Sequence, residues 1–402
     1  MARVLLAWEL GGGIGHCAKL ASIARGLIEE GHETFIAARD LVTARQVLAS
    51  TPVVYFQAPY LARASSSAPA RSLVDILVNT GFGDETSLDV LCSAWRSLFD
   101  AAKPDMLICD HAPMALLASR WHSMRRVVVG TGFTVPPLSR FPDLRYWLPA
   151  TSQAVDDQRQ VEETVLWRMN RLLRRDQLPP LERFVDLYTE VDQRFLMTFR
   201  ELDHYPQREG DEYWGTWPLE GGSTCEWPPG RPRLFAYLKP PTADWRPDRL
   251  LAFLRKSQLA SVIYIPGANP AWLKEYQTTW TRFIDRPVNL THAAHQCDVA
   301  ILHGTAGSVT ALLLGGIPQL NIPLYLEQLI LSRRVADLGA GLFANPTRVD
   351  QITDRLITLL HDGRYRDNAK RFSQRHATFD AANSRVRVVI AIHELLTYLK
   401  SA

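Results

Sequence analysis

The chain has 402 residues, of which 47% are hydrophobic and 22% are charged, and its formal net charge is only +3. This length is sufficient for two domains of ordinary size, each with its own hydrophobic core. The small net charge, and the lack of any basic block interleaved with aromatic residues, argue against a protein that coats nucleic acid or a membrane surface.

The cysteines and the apolar runs bear on the compartment. Five cysteines are scattered along the sequence without a Cys-x-x-Cys pair, a pattern that fits a reducing cytosol better than a disulfide framework or a metal site. The apolar run Val4–Trp8 is interrupted by Glu9, so no secretory signal is predicted. No run reaches the roughly 20 apolar residues of a membrane span. We therefore expect a cytoplasmic protein without an integral membrane segment.

The first forty residues predict a strand–turn–helix–strand unit. A short apolar strand, Arg3–Trp8, is followed by a turn at Gly11–Gly15, a helix with an apolar stripe at Cys17–Glu30, and a strand at Glu33–Ala38. The alternation continues, with strands at Val53–Phe56, Met106–Cys109, Arg126–Val129 and Phe195–Thr198, and helices at Leu88–Ala102, Met114–Trp121 and within Val161–Leu187. Strands that alternate with helices predict a parallel sheet covered on both faces.

The second half of the chain repeats this organisation after a break. Pro, Gly and Trp crowd the segment Asp203–Arg233, which has no periodicity and is predicted to be a linker. Strands are then predicted at Leu234–Leu238, Val262–Ile265, Val288–Leu290, Val299–Leu302, Gln319–Ile322 and Gly341–Ala344. An apolar helix, Ala381–Leu399, ends the sequence. The pattern therefore predicts two α/β domains.

A histidine follows the first glycine-rich turn. His16 lies where the chain leaves the carboxyl end of the first strand, which is the edge that faces the ligand crevice in open α/β sheets. A histidine in that place can act as a general base near neutral pH. Asp110 ends another strand on the same edge and is the expected orienting partner, with His111 and Asp105 as weaker alternatives. The alternative interpretation is a capping histidine and a strand-end aspartate that are both solvated.

The same turn permits a different function. Gly13-x-Gly15-x-x-Ala18 matches a relaxed dinucleotide-binding fingerprint, and Asp40 follows at about the position of a ribose-binding acid. A flavin or nicotinamide oxidoreductase is therefore an alternative. A tight turn without ligand is another.

The segment Val299–Gly341 is the most informative part of the sequence. Its strand runs into His303 and a small-residue turn made of Gly304, Thr305, Ala306, Gly307 and Ser308, and a helix follows at once. Such a turn directs free backbone N–H groups and the positive end of a helix dipole at one spot. We therefore predict a diphosphate site, to which His303 and Ser308 would add side-chain donors.

Two further features lie near the same sheet edge. Glu327 and Gln328, a carboxylate beside an amide, are suited to sugar hydroxyls, and the alternative is an ordinary acidic first turn of a helix. Lys239 follows the strand Leu234–Leu238 and could contact phosphate, but we interpret it as a solvated lysine.

Residues Cys297–Gly341 resemble the donor-binding region of GT-B nucleotide-sugar glycosyltransferases, in particular the UDP-glucuronosyltransferase-like and bacterial macrolide glycosyltransferase group. The family frame His-Gly-Gly-x-Gly-Thr, Gly-x-Pro, Pro and Asp-Gln reads here as 303–308 (HGTAGS), 316–318 (GIP), Pro323 and 327–328 (EQ). Gly15-His16 stands at the position of the family's catalytic base, and Asp110 lies near that of the dyad aspartate.

The resemblance implies an α/β protein of GT-B fold, with two facing Rossmann-like domains, an interdomain cleft and a C-terminal crossover helix. Residues 1–220 would bind the acceptor and residues 221–375 the nucleotide-sugar donor, while residues 376–402 would pack back on the first domain. The acceptor loops would lie within residues 57–85 and 131–165.

The implied reaction is inverting transfer of a sugar from a nucleoside-diphosphate sugar to a hydroxyl of a small-molecule or lipid-like acceptor. His16 would be the base and Asp110 its partner, with Gly13 and Gly15 in the acceptor-side loop. Residues 303–308 would hold the diphosphate, and Glu327 and Gln328 the sugar. The resemblance implies no metal, no cofactor apart from the donor substrate, and no nucleic-acid partner.

Two departures from the family pattern keep other functions open. Thr305 replaces the usual second glycine, and Glu327 replaces the usual aspartate. They are compatible with a catalytically inactive nucleotide-sugar-binding protein, or with an epimerase that acts on the donor alone.

Overall fold

The computed structural model describes residues 1–61, 70–138, 143–149, 151–219 and 221–397. The chain divides into two compact units. Unit 1 comprises Met1–Phe199, Tyr205–Gly215 and Ala382–Ala402, and unit 2 comprises Arg200–His204 and Thr216–Ala381. The predicted domain boundary at residue 220 lies outside the described residues, as do residues 62–69, 139–142 and 150 of the predicted acceptor loops.

The strands, in chain order, are β1 (Arg3–Trp8), β2 (Glu33–Ala38), β3 (Val54–Gln57), β4 (Met106–Asp110), β5 (Arg125–Gly130), β6 (Gln193–Leu196), β7 (Arg233–Tyr237), β8 (Ala260–Tyr264), β9 (Thr281–Ile284), β10 (Val299–Leu302), β11 (Gln319–Asn321) and β12 (Gly341–Phe343).

The α-helices are α1 (Ile14–Glu29), α2 (Leu41–Val47), α3 (Leu73–Leu77), α4 (Glu85–Ala102), α5 (Pro113–Ala118), α6 (Ser152–Arg175), α7 (Asp186–Thr189), α8 (Asp248–Ser257), α9 (Pro270–Lys274), α10 (Leu290–Ala294), α11 (Ala306–Leu314), α12 (Leu326–Asp337), α13 (Val349–His361), α14 (Gly363–Arg375) and α15 (Ala381–Thr397).

Unit 1 is built on a parallel sheet with the strand order β3-β2-β1-β4-β5-β6. β1 pairs with β2 on one side and β4 on the other, so its central position buries it on both faces. All of its residues from Val4 to Trp8 are buried. The register pairs Trp8, the last residue of β1, with Asp110, the last residue of β4. This register brings the two predicted catalytic segments to neighbouring strand ends.

Unit 2 contains a second parallel sheet with the strand order β12-β11-β10-β7-β8-β9. β10 lies between β11 and β7, and its four residues are all buried. The apolar side chains of these strands form a core with α8 and α13, to which Leu250, Leu254, Ile352 and Leu356 contribute. The predicted α/β class, with a parallel sheet in each half, is thereby confirmed.

The predicted strand Val288–Leu290 is wrong. Asn289 instead begins α10 as its N-cap, since its side chain accepts the N–H of His292 at 2.9 Å, and Val288 makes only an isolated bridge with Ser223. A capping asparagine stabilises a helix start more than a strand interior. β8 pairs with β7 on one side and with β9 on the other, and the sequence pattern did not indicate β9.

The long helix of unit 1 also differs from its prediction. α6 begins at Ser152, nine residues before the predicted helical pattern, because Thr151 caps it by accepting the N–H of Ala154 at 3.3 Å. Its first turns are polar, so the apolar periodicity of the sequence does not indicate them. α6 ends at Arg175, short of the prediction, ahead of Pro179 and Pro180.

The carboxyl-terminal helix α15 packs on α1 within unit 1. A Cβ atom at Gly26 of α1 would lie 2.6 Å from Cγ2 of Val389, so the two helices approach closely at this glycine. His393 of α15 pairs through Nδ1 with Nε2 of His32 at 2.9 Å. In the part of the chain that the structure describes, no helix is long and apolar enough to cross a membrane.

Candidate active site

The turn after β1 places His16 at the carboxyl edge of the first sheet. Gly13 is the N-cap of α1 and has a φ of 93°, a left-handed conformation that favours glycine. Nothing lies within 4 Å of a Cβ placed at Gly13 or Gly15. The two predicted loop glycines therefore leave open space around the first turn of α1, in which His16 is the third residue.

The structure brings His16 and Asp110 together. Nδ1 of His16 lies 3.0 Å from Oδ1 of Asp110, and the aspartate side chain is fully buried. Burial by itself raises the pKa of Asp110, but Lys19 and His16 outweigh it and lower the pKa to about 2. The carboxylate can then only accept, so Nδ1 carries a proton, and in the neutral imidazole Nε2 of His16 has the lone pair.

Lys19 is a member of this site that sequence reasoning missed. Its Nζ donates to Oδ2 of Asp110 at 2.9 Å, and its side chain is only 15% exposed. Lys19 and His16 are three residues apart on α1, so both reach the same carboxylate. That spacing was the available signal in the sequence. Asp110 is thus held between two partners on one helix.

Two neighbours fix the imidazole plane of His16. The ring stacks on Trp8, with 5.6 Å between the centroids and 18° between the planes. A Cβ atom at Gly11 would lie 2.8 Å from Nε2 of His16, and Gly11 has a φ of +81°. The missing side chain of Gly11 therefore leaves room beside the nitrogen that has the lone pair.

The alternative partners for His16 do not take that role. Asp105 precedes β4, at the opposite edge of the sheet, and accepts the N–H of Arg3 at 2.7 Å. His111 is buried in a left-handed conformation with a φ of 52°, and burial lowers its pKa to about 3. Its ring centroid is 5.9 Å from that of His16. His111 is therefore a neutral neighbour of the pair.

Asp40, the acid of the predicted dinucleotide fingerprint, is a helix-capping residue. Asp40 caps α2, since its Oδ1 accepts the N–H groups of Val42 and Thr43 at 3.0 and 3.1 Å and its Oδ2 accepts the Thr43 hydroxyl at 2.7 Å. These bonds, led by that with the Thr43 hydroxyl, lower the pKa of Asp40. Both carboxylate oxygens are thus engaged by the helix start.

Glu9 is a second buried acid beside the site, and the sequence did not single it out as functional. It is 1% exposed, and its Oε2 accepts the N–H groups of Met114 and Ala115 at 3.0 and 3.2 Å. These bonds tie the end of β1 to the start of α5, which follows Asp110 and His111. Burial raises the pKa of Glu9 to about 8, although the two N–H groups oppose the change.

In unit 2, the predicted diphosphate turn lies at the start of α11. Thr305 is the N-cap, and it makes no side-chain capping bond to the helix backbone. Its hydroxyl is in very close contact with that of Ser308. The N–H groups of Ala306, Gly307 and Ser308 point out of the first turn without an intrahelical acceptor, as in any α-helix. This end of α11 has the form expected of an anion site.

His303 is placed differently from the prediction of a phosphate donor. Its Nδ1 donates to the carbonyl of Ile322 at 2.7 Å, and its Nε2 accepts the N–H of Lys239 at 2.8 Å. Burial lowers its pKa to about 4, so the ring is neutral at physiological pH. Both nitrogens are engaged by the main chain, and no N–H of the ring is left for a phosphate.

The two glycines of the turn differ in their surroundings. A Cβ atom at Gly304, which has a φ of +81°, would lie 2.4 Å from Oγ of Ser332 and 2.7 Å from the carbonyl oxygen of Gln328. Gly304 therefore permits contact between the turn and α12. Gly307 has nothing within 4 Å of a Cβ position, so a side chain there would project into the space before the helix.

The predicted sugar-binding pair lies in the first turns of α12. Glu327 is half-buried. Gln328 is 4% exposed, and its Oε1 accepts the N–H of Leu324 at 2.8 Å. This bond fixes the orientation of the Gln328 amide plane. Among the described residues, no group of three or more His, Cys, Asp or Glu side chains could hold a metal ion.

Comparisons with known proteins agree with this architecture. Residues 281–391 match the family described as "Erythromycin biosynthesis protein CIII-like, C-terminal domain". The sterol 3-beta-glucosyltransferase of Candida albicans is 35% identical over 77 residues, which are 19% of this chain and 5% of that protein. The match therefore spans only a small part of the curated relative, which is much longer than this chain.

Solved structures resemble the chain over nearly its whole length. The glycotransferase of kitacinnamycin superposes with a TM-score of 0.67 at 14% identity, covering 98% of each chain. Spinosyn rhamnosyltransferase SpnG complexed with thymidine diphosphate gives a TM-score of 0.64 at 18% identity, covering 97% of this chain and all of the other. The predicted two-domain α/β fold is thereby confirmed as that of these glycosyltransferases.

Replacement of Glu9 by glutamine should flatten the dependence of stability on pH. With a pKa of about 8 in the folded state and about 4.3 when unfolded, Glu9 keeps a proton that the unfolded chain releases between these values. The free energy of unfolding therefore falls as pH rises through that window, by up to about 1.4 kcal/mol per pH unit. Glu9→Gln removes this contribution, which urea unfolding at several pH values would measure.

Glu163→Gln, on the exposed face of α6, is the matched control and should follow the wild-type dependence. A Glu9→Gln variant that loses stability with pH as steeply as wild type would show that Glu9 is ionised in the fold.

Proposed function

We propose that the protein is an inverting glycosyltransferase that moves a sugar from a nucleoside-diphosphate sugar to an acceptor hydroxyl. The observation that carries this proposal is the 3.0 Å contact between Nδ1 of His16 and the buried carboxylate of Asp110. It fixes one tautomer and leaves Nε2 as the basic nitrogen. Unit 1 would bind the acceptor and unit 2 the donor.

His16 performs the proton transfer in this proposal. Nε2 accepts the proton of the acceptor hydroxyl while the oxygen attacks the anomeric carbon of the donor. The bond between that carbon and the diphosphate oxygen breaks, and the nucleoside diphosphate leaves with the bonding electrons. The imidazolium that forms is stabilised by Asp110, which the low pKa keeps ionised.

The donor would bind at the start of α11. The free N–H groups of residues 306–308 and the helix dipole favour a diphosphate there, and they stabilise the charge that grows as it leaves. Gln328, whose amide plane is fixed by Leu324, and Glu327 would hold sugar hydroxyls. No metal ion or cofactor is part of this scheme.

The relatives support the class of the two substrates. SpnG was solved in complexes with thymidine diphosphate and with spinosyn aglycone, and the curated match is to a sterol glucosyltransferase. We infer a nucleoside-diphosphate sugar as donor and an apolar small-molecule or lipid-like acceptor for this chain.

His16→Ala should lower kcat by about 100- to 10,000-fold, the usual contribution of a general base. Nucleotide affinity should not change, because the groups proposed to bind the nucleotide lie in unit 2. Steady-state kinetics on an accepted donor–acceptor pair, with calorimetry of the nucleoside diphosphate, would measure both. Turnover at the wild-type rate would refute the assignment of the base.

A pair of adjacent glycines tests the position of the ring. Gly11→Ala should lower kcat because its Cβ would lie 2.8 Å from Nε2 of His16. The left-handed φ of this position also costs alanine about 1–2 kcal/mol of folding stability. Gly12→Ala adds the same methyl group to the same turn and is the control for the contact with His16, since nothing lies within 4 Å of its Cβ position. Equal kcat values for the two variants would contradict this geometry.

Gly307→Leu should weaken binding of UDP, dTDP or GDP, whichever binds best, by at least about tenfold. The new side chain would project in front of the free N–H groups, and each charge-assisted hydrogen bond lost costs about 1.5–3 kcal/mol. Thermal stability should not fall, because leucine favours a helix more than glycine does.

Gly363→Leu, at the start of α14 where a Cβ is also without contacts, is the control for the calorimetric measurement. Unchanged nucleotide affinity in Gly307→Leu would exclude the start of α11 as the donor site.

A further inference from the structure

The sequence suggested that Lys239 is a free surface lysine, but its main chain and its side chain both make contacts in the structure. It immediately follows Leu238 at the carboxyl end of β7, and both its N–H and its carbonyl group form hydrogen bonds. Its N–H donates to Nε2 of His303 at 2.8 Å, and its carbonyl accepts the indole N–H of Trp245 at 2.9 Å. Trp245 is buried and packs edge-on against His303, with 5.1 Å between the centroids. The start of the Lys239 side chain is therefore fixed beside the diphosphate turn.

The ammonium end of Lys239 contacts Tyr325, the N-cap residue of α12. Nζ is 3.4 Å from the hydroxyl of Tyr325 and 4.5 Å from the centroid of its ring. Tyr325 follows β11, whereas Lys239 follows β7, and β10 runs between them. The contact between Lys239 and Tyr325 therefore joins residues that follow the two strands on either side of the carboxyl end of β10. The diphosphate turn begins at this strand end.

The turn itself has no cation to offer a diphosphate. None of residues 303–308 has a charged side chain apart from the imidazole of His303, which is neutral and engaged by the main chain on both nitrogens. Thr305 and Ser308 direct their hydroxyls at each other. The backbone amides would therefore face the charge of the leaving group alone unless a neighbouring cation took part.

We propose that Lys239 binds the diphosphate of the donor and stabilises the leaving group through a charge-assisted hydrogen bond. On binding, the ammonium exchanges the weak contact with Tyr325 for a phosphate oxygen, and no proton is transferred. In the free protein, the ammonium contacts the exposed ring of Tyr325. This inference rests on the proposed function, because it deepens the donor site.

Calorimetry of thymidine and dTDP, and of uridine and UDP, on the full chain tests this inference. Lys239→Met should weaken the diphosphate by about 10- to 100-fold, which corresponds to one charge-assisted hydrogen bond, and should leave the nucleoside unchanged. Lys239→Arg should retain most of the affinity, since it keeps the charge. The loss of affinity with added salt should also be smaller in Lys239→Met than in wild type.

Lys256→Met is the matched control. It removes the same charge from an exposed position in the last turn of α8, at the opposite edge of the sheet, and should bind dTDP or UDP as wild type does. Equal melting temperatures of the two methionine variants exclude unfolding as the cause of any difference.

The outcomes separate the two proposals. If wild type and Lys239→Met bind the diphosphate equally, Lys239 is not a phosphate ligand, while the proposed function stands. If folded wild type binds neither diphosphate nor any nucleotide of the panel, the proposed function fails and this inference fails with it.

Discussion

A fully buried carboxylate, Asp110, is the constraint around which the first unit is organised. An ionised group without solvent is costly unless it is paired and hydrogen-bonded, and here both of its oxygens are engaged, by His16 and Lys19. Both partners come from the first turns of α1, so the helix has one position relative to the end of β4. The glycine-rich turn before α1 must adapt to that position, which explains the left-handed φ values at Gly11 and Gly13.

In unit 2, the neutral side chain of His303 fixes the positions of neighbouring strand ends. His303 connects three strand ends, since it follows β10 and bonds to main-chain groups beyond β11 and β7. These two bonds fix the orientation of the imidazole. They also fix the position of the turn before α11 relative to the ends of β7 and β11. The turn itself then presents backbone amides at the start of α11, and these need no particular side chain. The replacement of a family glycine by Thr305 is therefore compatible with the shape of the site.

Much of this arrangement could be predicted from the sequence, because parallel strands bring their carboxyl ends to one edge. The bounds of β1, β2 and β10 agree with their predictions, and the proximity of His16 to Asp110 follows from two strand ends. The sequence could not indicate what depends on packing at the level of single atoms. The space at Gly11, the buried acid Glu9 and the engagement of both His303 nitrogens are of this kind. The short apolar run at 288–290 misled the strand prediction because its asparagine is a helix cap.

The close approach at Gly304 has a consequence for engineering of this protein. Because only a hydrogen atom separates the turn from Ser332 and the carbonyl of Gln328, the turn and α12 have to be exchanged as one module. A chimaera that imports α12 from a related protein, to change the proposed sugar contacts, would need residues 303–308 from the same parent. Otherwise a larger side chain on the imported helix would displace the amides at the start of α11.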